Sequence, residues 1–460
     1  MPIIYSARWV LPIATPLIED GAVAVDNSLI VAVGPRSEIV SKYPQAPIEE
    51  FGEGVILPGF VNAHSHLELT VMRGFLEREE SDFSAWLRKL TVARMTMTPA
   101  DLLVSATCGA IEAARTGVTC LADASSLATE PMKALREVGL RGIVYHESFG
   151  PDPNLAGENM TKLREEIAGL REHETNLVRA GVSPHAPYTV SAPQLEMIAR
   201  MAIDQRLPVM MHAAESQAEK LLLIEGSGVF ADKLMARGIQ WRAPGISTIQ
   251  YLARHGIMDT RPLLAHCINV DEADLDLILR SGAGVAHCPR SNAKLGHGRA
   301  PFAQFISRGI NAGLGSDSVA SNNNCDILEE ARFATLLSRV PSHSDNQPVT
   351  DSVSADQALF AATLGGARAL KIDDQVGALA PGMQADIAVI SLNGAHQQPM
   401  SDPASALVFS SSGRDVVLTV VAGKEIYRDG RLPGVDETQC RARLEQVRTK
   451  IDLATGGLIT

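Results

Sequence analysis

Nowhere in the chain does an apolar run reach the roughly 18 residues that a membrane-spanning helix needs. The opening stretch, MPIIYSARWVLPIATPLIEDG, lacks the basic segment and small-residue cleavage site of a secretory leader. A soluble, cytoplasmic protein with no membrane partner is therefore expected. Positive charge is also in short supply: 41 Lys and Arg stand against 53 Asp and Glu, a net charge of −12. A protein that tracks phosphate backbones carries a basic stripe, so nucleic-acid partners are excluded. A local basic site for an anionic substrate is not. The six cysteines, Cys108, Cys120, Cys267, Cys288, Cys325 and Cys440, form no C-x-x-C pair. They are expected to be reduced, mostly buried thiols and not a disulfide framework. Internal repeats and low-complexity tracts are absent.

What is present is alternation. Residues 1–57 run as short apolar strands broken by Gly, Pro and Asn, as in GAVAVDN and LIVAVGP. The same style returns in ADIAVISL and VVLTVVAGKEIYRDGRL. Between these ends, short apolar strands alternate with amphipathic segments of helical length, near 99–115, 131–138, 160–173, 192–205, 271–281 and 301–308. The strand before His64, then GVTCLADA, LRGIVYHES, VRAGVSPHAP, LPVMMHAAE, PLLAHC, GAGVAHCP and GINAGLGSDS, predict a (β/α)₈ TIM barrel, an α/β fold. The expected organisation is a barrel over 58–374, a small β-sandwich domain from 1–57 and 375–435, and a C-terminal helix over 436–460 with a solvated charged face.

The barrel strand ends carry the chemistry. PGFVNAHSHLELT delivers His64 and His66 one residue apart. Alternate strand residues share a face, so the two imidazoles project together and can grip one cation. Further strand ends present Asp123, His146 with Glu147, His185, His212 with Glu215, His266, His287 and Asp317. Most of the 12 histidines fall there, at the barrel face where active sites form. Imidazole and carboxylate together suit one divalent metal, Zn²⁺ by default, with Fe²⁺ or Mn²⁺ as alternatives. The expected ligands are His64, His66, His212 and Asp317. Such a metal draws the pKa of water toward neutrality. Glu215, where HAAES turns off its strand, is the expected proton carrier. His266 is expected to stabilise charge at the attacked centre, and Asp317 to accept the water's proton.

The motifs PGFVNAHSH, SPHAPYTVS, HAAES, LLAHC, HCPRSNAKLGHG and GLGSDSVASNN resemble the amidohydrolase superfamily. The branch is that of cytosine, guanine and S-adenosylhomocysteine deaminases and s-triazine hydrolases. The likeness spans most of the chain, including VGALAPGMQADIAVI. It implies a mononuclear metal site on the four residues above, with Glu215 and His266 catalytic, and a dimer or larger homo-oligomer. No strand-end lysine stands where binuclear members carry a carbamylated bridge.

The resemblance also implies hydrolytic deamination of a purine nucleoside. SPHAPYTVS matches the nucleoside branch, in which the counterpart of His185 contacts the sugar. The run from Leu67 to Met95 resembles that branch's lid, with Arg73 and Trp86 in register and Glu68 beside the pocket. It departs where S-adenosylhomocysteine-type members carry a ribose-binding Glu: Arg94 stands close to that position. Arg290, in HCPRSN, is a candidate for a substrate carboxylate because a guanidinium binds one bidentately, and LGHG adds His297. The whole set most resembles 6-aminodeoxyfutalosine deaminases of menaquinone synthesis. Deaminases of adenosine, 5′-methylthioadenosine or S-adenosylhomocysteine come next. Guanine deaminase, triazine hydrolase and a metal-free scaffold are more distant alternatives.

Overall fold

A computed structural model describes residues 1–340 and 352–456. Strands Phe60–Ser65, Val118–Ser125, Arg141–Ser148 and Val178–Pro184 pair in parallel, in that order. Strands Met210–Ala213, Leu263–His266, Gly284–His287 and Asn311–Leu314 form a second four-stranded parallel sheet. Single parallel bridges, Val182 to Val209 and Ser65 to Asp317, join the two sets at both seams. Every strand expected for the barrel is present, and the arrangement is consistent with that fold. Every residue of Val118–Ser125 is buried, as befits a parallel strand covered on both faces.

The seam beside His64 is tied by side chains. Asn62 Nδ2 donates to Ser316 Oγ at 2.7 Å, and Asn62 Oδ1 accepts from the Ser316 amide at 3.0 Å. The Asp317 amide donates to the His64 carbonyl at 2.9 Å. Here the chain needs glycine: a Cβ on Gly315 would sit 2.9 Å from His64 Cβ and 3.0 Å from Cys288 Sγ. The eighth strand end is thereby pressed against the first.

The helices begin where capping chemistry directs. Pro99–Arg115 starts with a reciprocal Thr98/Asp101 capping box and Pro99 in its first turn. Phe83–Met95 is capped by Asp82, which accepts from the Ala85 amide at 3.0 Å. This helix lies inside the stretch likened above to a lid.

The two chain ends hydrogen-bond into one eight-stranded sheet, ordered Lys424–Arg428, Val416–Val421, Ile387–Ser391, Gly54–Pro58, Ile3–Val10, Ile18–Asp26 and Leu29–Pro35, with Ile48–Glu50 beside Ile3–Val10. In place of the two packed sheets of the expected sandwich, the ends form one continuous pairing network. Its period-two pattern still splits the side chains: Tyr5, Val23, Ile56 and Val389 share one core, while Ile4, Ala22 and Ala24 pack with Ile39 of helix Arg36–Lys42. A buried bidentate pair, Arg141 Nε to Asp386 Oδ2 at 2.9 Å and Nη2 to Oδ1 at 3.1 Å, ties the sheet to the third strand of the parallel set.

Two expectations need correction. Cys108 and Cys440 form a disulfide, with Cα atoms 6.3 Å apart across 332 residues of sequence. Local spacing holds no trace of a pairing that only tertiary packing creates. The other four cysteines are free and buried, as expected. The C-terminal helix Glu437–Thr455, which carries Cys440, is also more than a solvated face. It buries Val447, Ile451 and Thr455, and Arg448 Nη1 donates to the Arg73 carbonyl at 3.0 Å.

Candidate active site

Four elements converge on one point. His64 Nε2 lies 3.3 Å and His66 Nε2 3.6 Å from Asp317 Oδ1. His66 Nε2 is 3.3 Å from His212 Nε2. Ligand atoms of His64, His66 and Asp317 fall within 4.8 Å of one another, as do those of His64, His212 and His266. Both ring nitrogens of His64 are buried and unpartnered, and so is His266 Nε2. Orphaned buried nitrogens are costly. Together with a carboxylate oxygen they make an N/O donor set that a divalent ion would satisfy. The residues present therefore fit the expected metal.

Second contacts orient the ring atoms. His212 Nδ1 lies 2.9 Å from the His185 carbonyl. That bond fixes Nδ1 as the protonated nitrogen and leaves the Nε2 lone pair facing the cluster. Ser291 Oγ and Ser321 Oγ donate to Asp317 Oδ2 at 2.5 and 2.9 Å, so Oδ1 alone faces the imidazoles. His266 Nδ1 is held 2.8 Å from Asn292 Oδ1. Ala214, His266, Cys267 and Asp317 adopt φ between +46° and +74°. Such strain in non-glycine residues gathers where surrounding bonds over-determine a site.

Glu215 is buried, and its Oε1 lies 3.6 Å from both His266 Nε2 and His297 Nε2. Burial raises its carboxyl above the ordinary range, favouring a group that can carry a proton. Burial alone would lower the His266 imidazole; the Glu215 and Asp317 carboxylates outweigh it and raise it. For Asp317 burial pushes upward, yet the nearby imidazoles, His64 foremost, hold it well below its usual range. Burial lowers His185 to about 3, with His66 and His64 adding to the effect, so it stays neutral.

A cavity of about 690 Å³ opens over this cluster. That lies within the range of small-molecule sites. His66, His185, His212, Glu215, His266 and Asp317 line it. Trp86 and Phe83 from the covering helix, Tyr188 and Phe230 supply apolar wall. Glu147 also borders the space, and burial lifts its carboxyl to about 7.

The remaining candidates separate. Glu68 and Arg94 both line the cavity, but as partners: Arg94 Nε donates to Glu68 Oε1 at 2.9 Å, and Ser125 and Ser126 donate to the same carboxylate. Arg73 lies outside the cavity and pairs with Glu112. Arg290 is also outside it. Its Nη1 reaches Glu329 at 3.1 Å, its Nη2 donates to the Asn322 carbonyl at 3.3 Å, and its guanidinium lies over Phe333. The expected substrate-carboxylate role of Arg290 is therefore corrected. The acidic helix Ile327–Ser338 beside it supplies Glu329 and the fully buried Glu330, which claim the charge. His146 pairs with Glu166 at 3.0 Å, and His287 stacks on Phe302; neither is in the cluster. Asp123 accepts from the Leu67 amide at 2.7 Å and from Ser65 Oγ at 2.9 Å, bracing the turn after His66.

One supporting residue is absent from the expected set. Glu219 Oε1 accepts from the Ala214 amide at 2.8 Å and from Thr248 Oγ1 at 2.6 Å, and its Oε2 accepts from the Glu215 amide at 3.2 Å. It holds the turn that aims Glu215. Its trace in the sequence is S-x-x-E, Ser216 to Glu219, a helix-start pattern.

A sequence profile of the amidohydrolase family matches residues 55–426. The chain belongs to the amidohydrolase family. This amidohydrolase is an enzyme, a hydrolase of carbon–nitrogen bonds. A profile of an imidazolonepropionase-like composite domain of bacteria also matches residues 21–46. Over 446 residues, 94% of this chain and 93% of the relative, the amidohydrolase is 32% identical to a 5-methylthioadenosine/S-adenosylhomocysteine deaminase of Nitratidesulfovibrio vulgaris. It is 30% identical over 427 residues to a 5′-deoxyadenosine deaminase of Methanothermobacter thermautotrophicus, covering 92% of this chain and 91% of that one. Among solved structures, an adenosine deaminase from Xanthomonas campestris with bound zinc superposes with a TM-score of 0.83 at 27% identity, covering 98% of each chain. None of the described helices is long and apolar enough to cross a membrane.

Proposed function

We propose that this amidohydrolase is a metal-dependent deaminase of adenine-bearing nucleosides, with 6-aminodeoxyfutalosine, converted to futalosine and ammonia in menaquinone synthesis, as the leading substrate. The observation that carries the deaminase reading is the placing of Glu215. It is a buried carboxyl, raised by burial above its ordinary range, beside His266 and the N/O donor set on the lining of one cavity. The activities of the relatives described above, all on adenine nucleosides, support the substrate class. The likeness of HLELTVMRG, HAAES and HCPRSNAKLGHG supports the finer choice. The 32% identity to a 5-methylthioadenosine/S-adenosylhomocysteine deaminase favours a second reading, in which those two nucleosides or adenosine are the substrates.

His64, His66, His212 and Asp317 would hold the metal, with zinc the natural occupant of such a set. When bound, the ion acts as a Lewis acid that makes hydroxide available at neutral pH. The protein's own groups do the rest. The adenine ring lies along the aromatic wall of Phe83 and Trp86, its exocyclic amine toward Glu215. Glu215 gives its proton to the ring nitrogen next to C6. Asp317 Oδ1 accepts a proton from the attacking water. A C6–O bond forms, and His266 stabilises the charge that develops at the tetrahedral carbon. Proton return to the amine breaks the C6–N bond and ammonia leaves. His185, neutral and bonded through Nδ1 to Thr189 at 2.9 Å, presents Nε2 to the sugar.

The test is a panel of adenosine, 5′-methylthioadenosine, S-adenosylhomocysteine and 6-aminodeoxyfutalosine on metal-loaded protein, following loss of adenine absorbance. A preference for 6-aminodeoxyfutalosine supports the leading substrate. Equal or better rates on the other three give the second reading. No turnover of any member refutes adenine-nucleoside deamination and moves the substrate to guanine or a triazine. Glu215→Gln should lower kcat by about 10²–10⁴-fold while metal content is kept; near-normal kcat would remove Glu215 from its role.

A further inference from the structure

Arg88, Lys233 and Arg237 line the same cavity as the metal-site histidines. All three are exposed, which puts them at the outer part of the cavity. They come from two elements: Arg88 from the covering helix Phe83–Met95, and Lys233 and Arg237 from the helix Val229–Ala236 and its C-cap. Among the described residues none of the three has a carboxylate within ion-pairing distance. The neighbouring cations differ: Lys89 is matched by Glu79 at 2.9 Å and Arg94 by Glu68 at 2.9 Å. The acidic group that acts on Lys233 is Asp82, which is already engaged as the cap of the covering helix.

The surroundings position Lys233 without neutralising it. Phe230 stacks on Tyr188 with centroids 3.9 Å apart, which docks the Lys233 helix against the cavity wall. Lys233 Nζ lies 5.9 Å from the Phe230 ring centroid. Burial of its stem, and then the like charge of Arg88, lower the Lys233 ammonium below its ordinary range. Two like charges held together in a chain of net charge −12 carry a repulsion that a bound anion would relieve. The carboxylates that line the cavity sit elsewhere: Glu147, Glu215 and Asp317 are buried at the reacting end, and Glu68 is matched by Arg94.

We infer that Arg88, Lys233 and Arg237 form an anion-recognition site at the cavity rim that reads a carboxylate or phosphate on the far end of the nucleoside. The inference rests on the deaminase reading above, since it needs the adenine at the metal end. It gives the cavity two poles. The neutral ring goes to the imidazole and carboxylate floor, and the anionic substituent goes to the rim. It also moves the acid-recognition role from Arg290 to residues that border the cavity.

The test compares two matched pairs: adenosine with adenosine 5′-monophosphate, and 5′-methylthioadenosine with an adenine nucleoside bearing a 5′-linked benzoate. kcat/KM is measured on the metal-loaded enzyme. Dissociation constants are measured in the Glu215→Gln background, where turnover is suppressed. The wild type should favour the anionic member of one pair by about ten-fold or more, the worth of one charge-assisted hydrogen bond. The triple variant Arg88→Gln, Lys233→Gln, Arg237→Gln should erase that preference in both readouts, and Lys233→Arg should keep it. Preference confined to the benzoate pair identifies a carboxylate ligand; preference confined to the monophosphate identifies a phosphate. Turnover of adenine nucleosides with no charge preference, or a preference that survives the triple variant, overturns the rim site and leaves the deaminase reading standing. If the wild type neither binds nor turns over any adenine nucleoside, both fall.

Discussion

Glu219 offers the sharpest test of how the catalytic turn is built. Its carboxyl is fully buried, and burial lifts its pKa from the ordinary 4.5 to about 7 despite bonds from Thr248, Ala214 and Glu215 that favour the charged form. In Glu219→Gln one oxygen becomes an NH₂ that cannot accept from the Glu215 amide. A buried unpaired N–H costs about 1–3 kcal/mol, so at low pH the variant is the less stable protein by about that amount. The pH dependence then runs in a fixed direction. Below pH 4.5 the wild-type side chain is protonated in both the folded and unfolded states. Between 4.5 and about 7 the folded state keeps a proton that the unfolded state has released, so wild-type stability falls as pH rises through this window. A shift of that size corresponds to about 3 kcal/mol. The glutamine variant does not titrate there. Its deficit should therefore shrink by about 3 kcal/mol across the window and vanish or reverse near neutrality. Urea denaturation of both proteins at pH 5 and pH 8, in chelator so that metal release does not intrude, reads the difference. A gap that stays flat or widens with pH would refute the reasoning, since the hydrogen bonds to the carboxylate would then outweigh its burial. kcat of the loaded variant should fall as well, because the Glu215 amide loses the acceptor that fixes the turn.

Three further outcomes follow from contacts described above. His64→Ala should lower bound metal per chain, measured by elemental analysis; unchanged stoichiometry would contradict a ligand role. Asp386→Ala leaves the Arg141 guanidinium buried without its partner and should cost about 3–5 kcal/mol in chemical denaturation; a loss under 1 kcal/mol would show that the bidentate pair is not what joins the end sheet to the parallel set. Arg290→Gln should cost about 1–3 kcal/mol, because Glu329 and Glu330 lose the guanidinium beside them, yet leave the ratio of kcat/KM values among adenine nucleosides unchanged. A selective loss on acidic substrates would return Arg290 to the substrate.

The parallel strands were legible because each is a short apolar run that ends in a histidine or acid, and burial on both faces leaves little but apolar residues between. His64 and His66 could be placed on one face from spacing alone, since a strand repeats every two residues. Helix Pro99–Arg115 was legible as an amphipathic segment of helical length, and its start carries the Thr98/Asp101 capping box. The helix Phe83–Met95, read within a lid-like stretch, has few buried positions, Trp86 and Ala93 among them, so its apolar periodicity is weak. That the two chain ends form one β domain was legible from their shared strand style, whereas the disulfide and the order of strands in that sheet depend on contacts between residues hundreds of positions apart. No local pattern encodes those.

The arginines show where reading by residue type fails. Arg290 qualified on chemistry, because a guanidinium suits a carboxylate, and Arg73 and Arg94 by their places in the lid-like run, but each finds a carboxylate within the protein: Glu329, Glu112 and Glu68. Sequence shows the cation and not its partner. What separates a substrate-reading cation from a structural one is the missing internal partner, and that is a property of the folded surface. Arg88, Lys233 and Arg237 carry no motif and border the cavity without an acidic partner among the described residues. Glu219 makes the same point from the acidic side. Its S-x-x-E spacing announces a helix start, and Ser216 does accept from the Glu219 amide at 3.3 Å. The carboxylate, however, reaches past the cap to the Ala214 and Glu215 amides. Ala214 turns with φ +53°, and that left-handed turn places two amides within reach of one side chain. The strain at the strand end is thus held by the same carboxylate that aims Glu215, and removing either should disturb the other.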